Sequence, residues 1–209
     1  MDQRTRKRSD TRAALYDAAI QLMRDVDYDD LTVEQICLAA GIGRATFFRH
    51  FDGKSGLIRD FNRRLAERAE QEMLALGPGA SATAQLSVVQ ECLAQAWIGA
   101  HPGVRKMGLD AARVMDPSGR DVHPELLGLV IAIVRHGLAT EELTSELPLE
   151  LVAFLVVAHL AAATGYWFGS PASDLTELTR AALGQCLTGL AGSAPTPVPV
   201  PVPAIRRSR

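Results

Sequence analysis

The chain has 209 residues, 47% of them hydrophobic and 22% charged, which is the composition of a globular protein with apolar residues enough for one or two cores. Its formal net charge of −2 hides an asymmetry, because residues 1–68 carry 13 Lys/Arg against 11 Asp/Glu and the remainder 9 against 13. Cys37, Cys92 and Cys186 are odd in number and far apart, which argues against a disulfide framework and against a cysteine-ligated zinc site, leaving buried free thiols as the expectation.

Residues 1–9, with Arg4, Arg6, Lys7 and Arg8, read as a basic flexible arm that concentrates attraction for polyanions at this end. The arm leads into an amphipathic helix rather than a secretory segment. That helix is expected from residue 10 or 11 to 25, with Ala14, Leu15, Ala18, Ala19 and Leu22 as its apolar stripe. Asp27-Tyr28-Asp29-Asp30 reads as a polar loop, and Leu31 staples the next helix start. Thr32 and Gln35 have the spacing of a reciprocal capping box, which satisfies two otherwise orphaned backbone donors. Val33, Ile36, Cys37 and Ala40 follow as one apolar face, and Gly41-Ile42-Gly43 breaks the run. In the short helix that starts at once, Phe47 and Phe51 lie one turn apart with Phe48 beside them, while Ala45, Thr46, Arg49 and His50 fall on the opposite side. On an isolated helix such a polar face is ordinary solvated surface. The assembly of capped helix, glycine turn and aromatic-backed helix is the helix-turn-helix pattern, whose second helix lies in a DNA major groove.

A fourth helix is expected from about residue 54 to 76. Leu57, Ile58, Phe61, Leu65, Ala69 and Met73 form its apolar line, Arg59, Arg63, Arg64 and Arg68 take other faces, and Gly77-Pro78-Gly79 ends it. Residues 80–192 show no sustained two-residue alternation and read as helical throughout. Leu86, Val89, Leu93, Ala96 and Trp97 mark one helix; His101-Pro102 opens another, with Val104, Met107, Ala111 and Val114 on one side. Asp116-Pro117-Ser118-Gly119 is a turn, after which Leu126 or Leu127, Val130, Ile133, Val134 and Leu138 make a further helix. The segment after Pro148 is apolar nearly all round, so it must be buried on several sides, and it reads as a bundle core in preference to a membrane span. Asp174 to Glu177 caps a final helix whose Leu175, Leu178, Ala182, Cys186 and Leu190 face one way. From Ser193 onward, alternating Pro and Val followed by Arg206, Arg207 and Arg209 cannot build a core and reads as a disordered tail. The expected class is all-α, about nine helices, with a helix-turn-helix domain over residues 10–56 and a helical domain over 57–192.

The run GIGRATFFRHFDGKSGL resembles the recognition segment of TetR-type bacterial transcription regulators. Gly41, Ile42, Thr46, Phe47, His50, Phe51, Lys54 and Leu57 occupy the family's characteristic positions. Two residues depart from it: Gly43 stands where a capping serine is usual, and Phe48 replaces a tyrosine whose phenol would reach phosphate. The resemblance covers residues 10–60. It implies a homodimer joined through its last two helices and reading a palindromic operator in double-stranded DNA. It also implies a small, apolar effector bound among the later helices, release of DNA when that effector binds, and a cytoplasmic, nucleoid-associated location without any membrane.

Within a helix-turn-helix each residue has its own task. Thr32 at one helix start and Lys54 at another face phosphate, although Thr32 also has a simple capping role. Gly43 caps the recognition helix. Arg44 and Arg49 are suited to guanine edges, Ala45 keeps the helix close to the groove floor, and Thr46 and His50 contact base or backbone. For His50 a hydrogen bond within the domain is the plain alternative, and for Phe48 a place in the aromatic cluster. Arg4, Arg6, Lys7 and Arg8 add sequence-independent attraction or enter a minor groove. For the effector pocket the resemblance directs attention to Trp97, His101, Arg105, Met107, Arg113, His136, Tyr166 and Trp167, each of which also has an ordinary core or surface reading. For the dimer it points to Leu155, His159, Ala162, Tyr166, Leu175, Leu178, Ala182 and Cys186. A DNA-bound structural or cell-division protein of the same fold is a second reading. A third is a metal-dependent helical enzyme using His101, His123, His136 or His159 with Asp110 and Glu125. No HExxH spacing, nucleophile motif or glycine-rich phosphate loop supports it, so no catalytic residue, metal or cofactor is expected.

Overall fold

The computed structural model of the protein describes residues 3–114 and 124–190, and the side chains of 7–110 and 124–189. Among them are nine helices and no strand: α1 Gln3–Leu22, α2 Val33–Ala40, α3 Arg44–His50, α4 Gly56–Leu74, α5 Ala82–Ile98, α6 Pro102–Val114, α7 Pro124–Ala139, α8 Leu149–Gly169 and α9 Leu175–Leu190. The all-helical expectation therefore holds. The turn expected at Asp116–Gly119, the Pro-Val tail and the side chains of Arg4, Arg6 and Arg113 lie outside the described residues.

Helices α1, α2 and α3 pack on one another, and α4 leads from them to α5 and α7. The first helix begins at Gln3 instead of residue 10. Arginine, lysine and glutamine are good helix formers, so the stretch expected as an arm simply extends the helix. Its buried side is Leu15, Tyr16, Ala19 and Met23, while Ala14, expected inside, is exposed. The DYDD segment is not wholly polar either: Tyr28 is buried against the core, and burial raises its phenol pKa above the ordinary value.

In the second half, α8 packs on α7 and α9, and α5 lies along α9. Leu86, Val89, Val130, Val134, Val152, Val156 and Leu160 fill the space between them. The pairing of α5 with α9 contains a polar tie, in which buried Gln90 donates to Thr179 Oγ1 at 2.7 Å. Helix α8 has 21 residues and is long and apolar enough, by length and composition, to cross a membrane. Its one side, Val152, Ala153, Val156, Val157, Leu160, Thr164 and Trp167, is buried by neighbouring helices. Its other side exposes Leu151, Ala162 and Tyr166. The inward face of α9 is Leu175, Thr179 and Leu183, with Leu178, Ala182 and Cys186 half-buried beside it.

Candidate nucleic-acid interface

The interface is set by how α2 ends and α3 begins. Thr32 N–H donates to Gln35 Oε1 at 2.7 Å and Gln35 N–H to Thr32 Oγ1 at 3.2 Å, so the capping box is complete. With its N–H and hydroxyl both held by Gln35, Thr32 can take a phosphate only by displacing that side chain. Gly41 closes α2 at φ +65°, in the left-handed region where a side chain is strained, and Ile42 N–H returns to Cys37 O at 2.9 Å. Gly43, in extended conformation, then caps α3 without a side-chain bond.

Phe47 is 0% exposed and Phe51 2%, their rings 5.3 Å apart, and together they hold α3 by its back. Phe48 meets Phe47 edge-on at 5.4 Å and is still 50% exposed, so it both covers the cluster and reaches solvent. The outward side consists of Arg44, Ala45 and Arg49, all exposed, with Thr46 half-buried. Arg49 Nη2 donates to Thr46 Oγ1 at 2.9 Å, which orients the guanidinium along the helix. Arg44 forms an ion pair with Glu34 of α2.

His50 lies at the end of α3 close to α1. Its imidazole pKa is pushed below the ordinary value, first by burial and then by the nearby charges of Arg8, Arg12 and Arg49. Arg8, Arg49 and His50 thus make one basic patch continuous with the outward side of α3. Arg12, one helical turn beyond Arg8, is instead held by the buried Asp60 carboxylate at 2.6 Å. Lys54 is engaged elsewhere, donating to the carbonyls of Tyr28 and Asp29 and lying 4.5 Å from the centre of the Tyr28 ring.

Of the residues considered for an effector pocket, Trp97, Arg105 and Trp167 come together. Arg105 donates to the carbonyls of Trp97 (3.2 Å) and Ile98 (2.7 Å), covering the end of α5, and its guanidinium lies 4.7 Å from the Trp167 ring centre. Phe61 and Phe168 complete the group, with centroids 4.3 and 5.0 Å from Trp97, although sequence reasoning assigned Phe61 only to a stripe and left Phe168 unassigned. A cleft of about 240 Å³ opens beside it, between Arg105, Lys106, Trp167 and Pro171. Met107 is fully buried core. His101 sits at the junction with α1, its Nδ1 3.0 Å from Met23 O. His136 lines a separate depression with Glu70 and Met73, and Tyr166 is 62% exposed, so neither joins the aromatic group. Of the residues considered for a dimer face, Leu155, His159, Ala162, Tyr166, Leu178, Ala182 and Cys186 keep exposed or half-exposed surface. Leu175 is 1% exposed inside the subunit's own core and drops from that set. Among the described residues no group of three or more His, Cys, Asp or Glu converges as metal ligands would.

Residues 15–61 match the family described as bacterial regulatory proteins, tetR family. Over 183 residues the chain is 26% identical to the HTH-type transcriptional regulator AlkX of Mycobacterium tuberculosis, covering 85% of this chain and 75% of that one. Among solved structures it is similar to Thermus thermophilus FadR, a TetR-family transcriptional repressor in complex with lauroyl-CoA (TM-score 0.69, 22% identity, 90% of this chain and all of the other). It is also similar to Bacillus subtilis FadR in complex with stearoyl-CoA (TM-score 0.63, 17% identity, 85% and 98%). Residues 15–61, with α2 and α3 set as a helix-turn-helix, thus match the tetR family of bacterial regulatory proteins, and the chain as a whole shares the fold of the FadR structures.

Proposed function

We propose that the protein is a homodimeric repressor acting in the bacterial cytoplasm, which holds a palindromic operator through its two α3 helices and lets go when a small apolar ligand binds. The observation that carries this reading is the two-sidedness of α3: Phe47 and Phe51 buried behind, Arg44, Ala45 and Arg49 exposed in front. A guanidinium presents two donors in the geometry of guanine O6 and N7, and alanine between the arginines allows close approach to the groove floor. Gly43, Thr46 and Phe48 support the same face, Lys7, Arg8 and His50 extend it along the backbone, and Arg4 and Arg6 precede them in the chain. Lys54 takes part only if DNA draws it from the Tyr28 and Asp29 carbonyls.

The exposed and half-exposed apolar side chains of α8 and α9, among them Leu151, Leu155, Ala162 and Leu178, support a helix-on-helix dimer. Such a dimer spaces its two α3 helices about one DNA turn apart, roughly 34 Å. The aromatic group around Trp97 is the natural place for an apolar ligand, and the acyl-CoA held by both FadR neighbours makes an acyl chain the first class to try. Release requires only that the ligand prefer the subunit arrangement in which the α3 spacing no longer fits. The test is in vitro selection of DNA by the purified protein. Inverted repeats are expected, and Arg49→Ala should lower affinity for them and relax preference at one position of each half-site. Selection of no motif, or an unaltered footprint with Arg49→Ala, would remove α3 as the reader.

A further inference from the structure

Asp60, on the first half of α4, is 0% exposed and is the only buried charged side chain among the described residues. Its carboxylate is shared by three guanidiniums. Oδ1 accepts from Arg12 Nε at 2.6 Å and from Arg63 Nε and Nη2 at 3.0 and 2.8 Å, and Oδ2 accepts from Arg64 Nε at 3.2 Å. Two of these arginines tie α4 to α1. Arg12 belongs to α1 and lies 5.2 Å from the ring centre of Phe51, the residue that ends α3. Arg64 lies 4.1 Å from the ring centre of Tyr16 and bonds Asp17 at 3.1 Å, both on α1. The first turn of α4 sits against Phe51 as well, since a Cβ on Gly56 would stand 3.2 Å from Phe51 Cβ.

Stability does not account for this cluster. A buried carboxylate loses its hydration, and an apolar residue of similar size in its place is often at least as stable. What the charge adds is direction. Apolar surfaces slide over one another, whereas a carboxylate held by guanidiniums from two helices fixes the angle between them.

We propose that Asp60 is a positioning residue for DNA reading: through Arg12 and Phe51 it locks α3 to α4, and so sets the separation at which a dimer presents its two recognition helices. This rests on the dimeric, palindrome-reading function proposed above.

The experiment measures binding to the selected inverted repeat and to versions with one base pair added or removed between half-sites. Each change shifts a half-site by roughly 3.4 Å and turns it by roughly 35°. Wild type, Arg12→Gln, Arg12→Lys and Asp60→Asn are compared, with active fractions set by stoichiometric titration. Wild type should prefer its own spacing by about tenfold, and the variants should shrink that preference to about threefold or less. Loss of charge alone lowers affinity equally for all spacings, so the ratio separates positioning from attraction. Arg12→Lys keeps the charge without the planar fork, and it should retain affinity while losing discrimination. Should Asp60→Asn fail to fold, the two Arg12 variants decide. Wild-type ratios in both would overturn the proposal, whatever their melting temperatures. A wild-type protein with no preferred spacing would instead refute the dimeric reading, and the proposal with it.

Discussion

Gly103→Ala tests whether α6 touches the end of α1 as closely as the geometry says. Gly103 is the second residue of α6, and a Cβ built there stands 2.4 Å from the carbonyl oxygen of Met23, just beyond the end of α1. Ordinary contacts between carbon and oxygen start near roughly 3.3 Å, so α1 and α6 must part by about 0.9 Å. The obstacle is backbone, which cannot rotate away. Overfilling of this kind costs about 1–3 kcal/mol, against which alanine gains about 0.5–1 kcal/mol over glycine inside a helix. The net loss is up to about 2.5 kcal/mol, or up to about 10 °C in melting temperature for a chain of this length. Gly128→Ala is the control, since it makes the same chemical change on α7 where no atom lies within 4 Å. It should raise the melting temperature by about 1–4 °C. Paired thermal melts by circular dichroism read the difference in sign. Equal shifts in the same direction for the two variants would refute the reasoning, because they would mean that α6 does not press on Met23.

Thr32→Ala removes one half of the capping box at α2 and should cost about 1 kcal/mol, or about 2–4 °C, in the same melts; an unchanged midpoint would mean the box contributes nothing. His50→Gln should alter how stability depends on pH. Because burial, aided by Arg8, Arg12 and Arg49, holds the His50 pKa below 6.5, its contribution is complete above that pH. It is lost as pH falls from 6.5 through the folded value, where the unfolded chain takes up the proton first. Wild type should therefore lose more stability than His50→Gln on acidification through that window, and parallel curves would contradict the environment described for His50. Leu178→Glu puts a charge on the half-buried face of α9 and should give monomers by light scattering, whereas an intact dimer would place the interface elsewhere.

The helix-turn-helix was readable because its determinants are local. Thr32 and Gln35 are three residues apart, Gly41 and Gly43 bracket one apolar residue, and Phe47 and Phe51 are one turn apart, so each signal fits inside a short window. What escaped depends on partners distant in the chain. Asp60 lies in a run with four arginines and looks like part of a solvated face; Arg63 and Arg64 on its own helix and Arg12, 48 residues earlier, together partner its buried carboxylate, and the Arg12 contact has no local signal. Tyr28 sits among aspartates, and its burial rests on Lys54, 26 residues on. The aromatic group was half legible for the same reason. Periodicity assigns Phe61 and Trp97 to the inward sides of two helices without saying that they meet, and His136 and Tyr166 showed that a suitable residue type on the right helix can still face elsewhere.

Net charge is a poor guide to what this protein offers a polyanion, because several cations among the described residues of its first 68 already have acidic partners. Arg12, Arg63 and Arg64 are bound to a fully buried carboxylate, and Arg59 pairs with Asp52. Among the described residues of that stretch, Lys7, Arg8, Arg24, Arg49 and Lys54 have no acidic partner within ion-pair distance; Lys54 is held by carbonyls, and Arg8 and Arg49 share the patch around His50. Arg44 is intermediate. Its pair with Glu34 is exposed on both sides, and exposed pairs are worth at most about 1 kcal/mol, less than a bidentate contact to guanine at about 1–3 kcal/mol. DNA can therefore take Arg44 from Glu34 more readily than Arg12 from Asp60, since the latter breaks a charge-assisted bond to a buried carboxylate, worth about 1.5–3 kcal/mol, that Arg63 and Arg64 would then hold without it. The same arithmetic leaves Arg44 available for the reading role proposed above and favours Arg12 staying with Asp60.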